Sequence, residues 1–188
     1  MIPYTTEPRA DTGVSNVTMG IWLFLASEVM LFGALFSSYS LLRISAPDWP
    51  SGREVLSLTF GLLNTMTLVL ATLFVLRARS SSGTRLRVSL GISIVFAAVF
   101  LVTKGMEYRQ ELAAGLVPST STFLATYFTL TGLHAAHVVA GIFANVWAAT
   151  GLDRVGDRMT AGRVRAVALY WLFVDLVWLI ILVLLYLT

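Results

Sequence analysis

Apolar positions fall into five long blocks, and the polar positions gather in the short stretches between them. The first block covers about residues 18–42 and is entered through Ser15, Asn16 and Thr18, residue types that cap helices. It leaves into RISAPDWPSGRE, where Pro47, Pro50 and Gly52 enforce a loop. The second, about 55–76, ends at the basic linker RARSSSGTRLR. The third, about 87–107, carries Lys104 and Glu107 at its far end, before LAAGLVPSTST interrupts the pattern. The fourth occupies about 122–149, and the loop GLDRVGDRMTAGRVR leads to the fifth, about 166–187. Each block meets the roughly 20 residues that cross a bilayer at about 1.5 Å per residue. The pattern predicts an all-α, polytopic membrane bundle of five transmembrane helices, one domain over residues 1–188, with no internal repeat.

Composition agrees with that class. The chain is 57% hydrophobic and only 12% charged, too little polar surface for a soluble domain of 188 residues. It has no cysteine, which excludes disulfides and thiolate-held metals. The opening segment MIPYTTEPRADTGVSN, with Pro3 and Pro8, is unlike a signal peptide, so the first span is expected to act as its own insertion signal. Twelve of the thirteen basic residues are Arg, spread over loops rather than gathered into a nucleic-acid footprint. Nine fall on one side: Arg9, Arg77, Arg79, Arg85, Arg87, Arg154, Arg158, Arg163 and Arg165. Arg43, Arg53, Lys104 and Arg109 fall on the other, so the positive-inside rule predicts a cytoplasmic N-terminus.

Ionisable residues inside a membrane are costly, about 2.5–3.5 kcal/mol for Asp at a helix centre on insertion scales, and function is sought there first. The candidates are Glu28 in the first span, His134 and His137 in the fourth, and Asp175 in the fifth. Glu28 lies about 15 Å into its helix. Its default state is a neutral carboxyl hydrogen-bonded within the bundle, unless a cation or water contacts it. The two histidines of HAAH share a helix face and could both reach one small ion. They cannot clamp opposite sides of a haem, and a metal would need further ligands, so hydrogen bonds to other helices or subunits are expected instead. Gly132, Ala136, Ala140 and Ala144 form a small-residue stripe of the kind that lets helices approach closely, within the bundle or at a subunit interface. His134 and Asn145 form a polar seam beside it. Trp49, Tyr108 and Tyr186 mark span ends and suit interfacial anchoring, whereas Trp171 and Trp178 share one face and suit packing.

Five segments, in order, resemble subunit III of the haem–copper respiratory oxidases. GIWLFLASEVMLFGALFSSY is similar to that family's Ser-Glu-Val-Met helix, with Glu28 as its buried carboxylate. GLLNT is similar to its Asn-Thr helix through Asn64, and LVTKGMEY to a segment ending in Glu-Tyr, here Glu107 and Tyr108. TGLHAAHVVAG resembles its paired-histidine segment, and YWLFVDLVWL its closing helix with Asp175. Leu172 stands where many members carry His, and Ala135 where Gly is common. The likeness covers about residue 17 to the C-terminus and is to the short, five-helix bacterial form.

The resemblance implies a non-catalytic subunit with no cofactor of its own, haem and copper belonging to partner subunits. It implies direct packing on subunit I, proximity to subunit II, structural phospholipids, and support of sustained turnover in the bacterial cytoplasmic membrane. The carboxylate matching Glu28 is associated in the family with a lipid cleft and a carbodiimide-reactive site, with proposed roles in oxygen access or proton uptake. Cytochrome c oxidase is the expected setting, with quinol oxidase and a nitric-oxide-reductase-associated homologue as alternatives. From other classes, a small proton-coupled transporter using Glu28 and Asp175 lacks the expected inverted repeat and broken helices. A cytochrome b type anchor is disfavoured by two histidines on one helix.

Overall fold

The computed structural model describes residue 9, residues 13–150 and residues 157–188. The expectations placed on Pro3, Pro8 and Arg154 lie outside the described residues. Helices α1 (Asn16–Ser45), α3 (Leu58–Ala78), α4 (Gly83–Ala113), α5 (Thr122–Thr150) and α6 (Asp157–Ile181) are the long elements. A single turn, α2 (Gly52–Val55), precedes α3, and a π-helical turn over Leu182–Tyr186 continues α6. Among the described residues, five helices are long and apolar enough to span a bilayer, as the hydropathy pattern predicts.

The helices overrun their apolar blocks. Helix α4 begins four residues before the expected position and runs six beyond it, to Ala113. Hydropathy marks what the bilayer accepts, while Arg85, Arg87, Glu107, Arg109, Gln110 and Glu111 are good helix formers that prolong the turn pattern past it. Likewise α6 starts at Asp157, so Arg163 and Arg165 are helical rather than in a loop. Side-chain and backbone caps set the ends. Ser15 accepts the Thr18 N–H at 3.3 Å to start α1, and Ser121 accepts that of Leu124 at 3.2 Å to start α5. Helix α4 closes with left-handed Gly115 (φ 79°). There Leu116 N–H reaches Glu111 O at 3.0 Å and Gly115 N–H reaches Leu112 O at 3.1 Å, a Schellman arrangement.

Helices α3 and α4 form the tightest antiparallel pair, α5 lies against α4, and α6 is central, touching α1, α3 and α5. The core is aromatic: Phe100, Tyr127, Trp171, Trp178 and Tyr186 are all buried. Close approach is glycine-dependent at two points. A Cβ on Gly141 of α5 would lie 2.9 Å from the Trp171 ring, and one on Gly52 would lie 1.6 Å from Leu185 O. Helix α1 is peripheral. Of its 30 residues only Leu25, Phe32 and Tyr39 are buried, one line spaced every seven residues that faces the bundle. The anchoring role expected of Tyr186 and Tyr108 is not what the fold gives them. Tyr186 is fully buried, and Tyr108 packs on Tyr127 and Phe128 while its hydroxyl lies 2.6 Å from that of Thr131. Trp49 likewise lies edge-on to Tyr39 and Phe123.

Candidate functional site

Helices α1 and α5 bring Glu28 and His137 together at mid-span. Glu28 Oε2 lies 2.9 Å from His137 Nε2, and the two side chains are 15% and 14% exposed, so the pair sits half-open on the helix seam. The ring is fixed on its other side, with Nδ1 2.8 Å from Leu133 O, one turn back on α5. A carbonyl can only accept, so Nδ1 carries a proton. One further proton then lies between Nε2 and Oε2. The pair is either a neutral acid and imidazole or a carboxylate and imidazolium, and it is net neutral in both forms. Tyr170 of α6 donates to His137 O at 2.8 Å, and Phe32 packs edge-on to the imidazole at 5.0 Å. Three helices thus hold one shared-proton pair.

Beside it, Ile21 and Phe24 of α1, Ala140, Ala144 and Trp147 of α5, and Tyr170 of α6 line an apolar groove of about 230 Å³. Here the small-residue stripe has a different outcome from close helix packing. Ala136 and Ala140 are exposed and Ala144 is half-buried, while the tight contact falls on Gly141, one position round the helix. At the groove's end the Arg163 guanidinium lies 4.4 Å from the Trp147 ring centroid.

A second polar assembly lies deep in the bundle near the C-terminal end of α4. Lys104, 2% exposed, donates to Glu107 Oε2 at 2.9 Å, to Tyr127 Oη at 2.8 Å and to Tyr186 Oη at 2.7 Å. Tyr186 in turn donates to Glu107 Oε1 at 2.7 Å, and Tyr127 to Glu111 Oε1 at 2.8 Å. All three ammonium protons are thereby used, and the rings of Tyr108, Tyr127, Trp178 and Tyr186 surround the cation at 4.5–5.8 Å. Lys104 is therefore not a surface charge and leaves the count that orients the chain. The sequence shows Lys104, Glu107 and Glu111 at spacings of three and four, one helix face. Glu107 was anticipated; Glu111, Tyr127 and Tyr186 were not, because nothing in α4 itself reveals which face turns inward.

The remaining predicted residues do not join either assembly. Asn64 of α3 accepts from the Thr103 hydroxyl of α4, and its Nδ2 has no hydrogen-bond partner among the described residues. His134 is fully buried between Phe100 and Trp178, and neither ring nitrogen has a hydrogen-bond partner among the described residues. The seam expected to run with it is instead closed by Asn145, which donates to Ser93 and accepts from Trp171. Half-buried Asp175 faces α3 beside Thr72. Among the described residues no three His, Asp or Glu side chains gather as a metal site would need.

Comparison with known proteins accounts for the arrangement of motifs. Residues 9–188 match the model of the family described as cytochrome c oxidase subunit III. The chain is 30% identical to a cytochrome bo(3) ubiquinol oxidase subunit 3 of Pseudomonas aeruginosa, over 94% of this chain and 87% of that one. It is 32% identical to a cytochrome c oxidase subunit 3 of Bacillus subtilis, over 92% of this chain and 86% of that one. It also matches, at 32% identity over 92% of its length, 23% of a haem–copper oxidase subunit I+III of Aeropyrum pernix. With the family model matched over nearly all of its length, the chain belongs to the cytochrome c oxidase subunit III family, membrane subunits of haem–copper oxidases of the cytochrome c or quinol type.

Proposed function

We propose that the chain is a non-catalytic accessory subunit that packs directly on subunit I, near subunit II, and holds structural phospholipid that sustains turnover. The observation that carries the lipid role is the groove between α1, α5 and α6, whose wall residue Tyr170 also bonds the backbone of His137. An acyl chain suits its apolar lining, and Arg163, stacked on Trp147 at its end, suits a lipid phosphate. Glu28 is then an organiser of the α1 seam, tied to α5 through His137, rather than a link in a relay. The donor set does not fit haem or copper: His134 is enclosed by rings and His137 is committed to Glu28 and Leu133. Redox centres therefore belong to the partner subunits. A bacterial cytoplasmic membrane with the N-terminus inside is the setting the Arg distribution supports. Cytochrome c is the proposed donor, and the chain is similar to relatives named for either donor type.

The test is co-isolation. The chain should purify with a haem- and copper-bearing large subunit and, alone, show no haem absorbance. In the assembled enzyme, Glu28→Ala should lower tightly held phospholipid and shorten the lifetime of turnover, while Glu28→Gln, which keeps shape and hydrogen-bonding capacity, should do so less. Unchanged lipid content and inactivation rate in the alanine variant would count against the groove. Stoichiometric haem on the isolated chain would sink the accessory role.

A further inference from the structure

No acidic residue falls between Glu54 and Glu107, yet four arginines gather where α3 turns into α4. Two of them, Arg77 near the end of α3 and Arg85 in the first turn of α4, line a cleft of about 430 Å³ between the two helices. Both are exposed, and among the described residues no carboxylate lies within ion-pair distance of either guanidinium. Thr84 adds a hydroxyl beside Arg85. Phe74, Val88 and Ile92 supply an apolar wall. Phe74 is held there by Phe96, stacked on it at 5.8 Å, while Val88 is 52% exposed. Ile92 follows Arg85 by two turns of α4, so the wall reaches about 10 Å further into the bilayer than the arginines do. The cleft is cationic at its mouth and hydrocarbon below. Membrane topology accounts for arginines in this loop, but it does not require an apolar cleft between them.

We propose that this cleft binds an anionic phospholipid, with the phosphate on Arg77 and Arg85 and the glycerol and first acyl carbons against Phe74, Val88 and Ile92. The guanidinium fork matches phosphate oxygens in pairs, and basic pockets between spans at the membrane surface are where acidic headgroups settle. A soluble phosphate meets the arginines but leaves the apolar wall uncovered. A zwitterionic lipid brings an ammonium to a site where no acidic side chain lines the cleft. The site extends the phospholipid role to a second face, where the headgroup charge selects the lipid. It shares no lining residue with the groove of α1, α5 and α6 and does not depend on that groove being filled.

The experiment titrates the full chain, in a neutral detergent, with dioleoylphosphatidylglycerol or dioleoylphosphatidylcholine and counts bound lipid by native mass spectrometry. The unsubstituted chain should favour phosphatidylglycerol by at least about tenfold, and Arg77→Gln with Arg85→Gln should abolish that preference. Arg79→Gln with Arg165→Gln removes the same charge from exposed positions outside the cleft and should keep it. Val88→Trp, which fills the cleft and leaves both arginines, should weaken phosphatidylglycerol binding; if the Arg77 and Arg85 pair lowers the melting temperature, this variant decides alone. Equal affinity for the two lipids overturns the proposal, and so does undiminished binding in Val88→Trp. Equal loss in the Arg79 and Arg165 pair overturns it too, since a diffuse positive face would then attract the lipid. Displacement of the lipid by inorganic phosphate, but not by chloride at equal ionic strength, makes this a soluble-phosphate site instead. In the assembled oxidase, phosphatidylglycerol content that ignores the Arg77 and Arg85 substitutions means that another subunit covers the cleft, and the proposal falls.

Discussion

The two polar assemblies of this bundle solve the same problem in opposite ways. Lys104 and Glu107 are each 2% exposed and satisfied by two tyrosines from other helices, a closed network whose parts depend on one another. Glu28 and His137 are each about 15% exposed, joined by one contact between helices and bordered by an open groove. The closed network locks α4, α5 and the end of α6 into one body. The open pair tethers α1 to that body, together with Tyr39, which donates to Leu184 O near the chain's end. Rigidity and adaptability are thus divided between the core and its outermost helix.

The sharpest way to break this contrast is Lys104→Met. It removes the cation from between Glu107 and its tyrosines, and loss of one member of a buried pair should cost about 3–5 kcal/mol, read as a lower melting temperature and poor yield of the isolated chain. Next, Gly141→Val places side-chain atoms where a Cβ alone would meet Trp171 at 2.9 Å. Overpacking of this kind should cost about 1–3 kcal/mol in the same measurement. At the seam, a double-mutant cycle on Glu28→Ala and His137→Ala should return a coupling of about 0.6 kcal/mol and at most about 1.7, the mean and maximum found for interhelical hydrogen bonds by such cycles in a membrane protein. A coupling as large as the Lys104 effect would make the two assemblies equivalent and remove the distinction. The smallest expected effect on stability is from Ala140→Leu, on an exposed groove position. It should leave the melting temperature within the scatter of surface substitutions, about 0.5 kcal/mol, yet reduce the phospholipid retained by the assembled enzyme.

What the sequence discloses follows the same division. Spans are legible because the bilayer demands some 20 apolar residues in a row, and the five blocks announce themselves on that ground alone. Rotation of each helix is not legible, because hydrocarbon outside and packed side chains inside are both apolar. Tyr186 therefore reads as an interfacial anchor until α6 is seen to turn it onto Lys104. The stripe of Gly132, Ala136, Ala140 and Ala144 reads as a packing seam, whereas the neighbouring register, with Gly141, receives Trp171. Glu28 and His137 stand out individually as polar residues at membrane depth, but 109 positions separate them and only the packing of α1 on α5 makes them a pair. Sequence motifs identify the family; they do not say which motif residues touch.

The position of α1 also has a consequence for how the chain is made. Helix α1 leaves the ribosome before the other described helices, yet its main neighbour is α6, which follows them, and its Glu28 contact waits on α5. At about 5–20 residues per second, α1 spends on the order of ten seconds in the bilayer before α6 exists to receive it. Throughout that interval α3 and α4 can already close on each other, being adjacent in the chain. Until then α1 is a free-standing helix carrying one unmatched carboxyl, and it is captured only when α6 arrives.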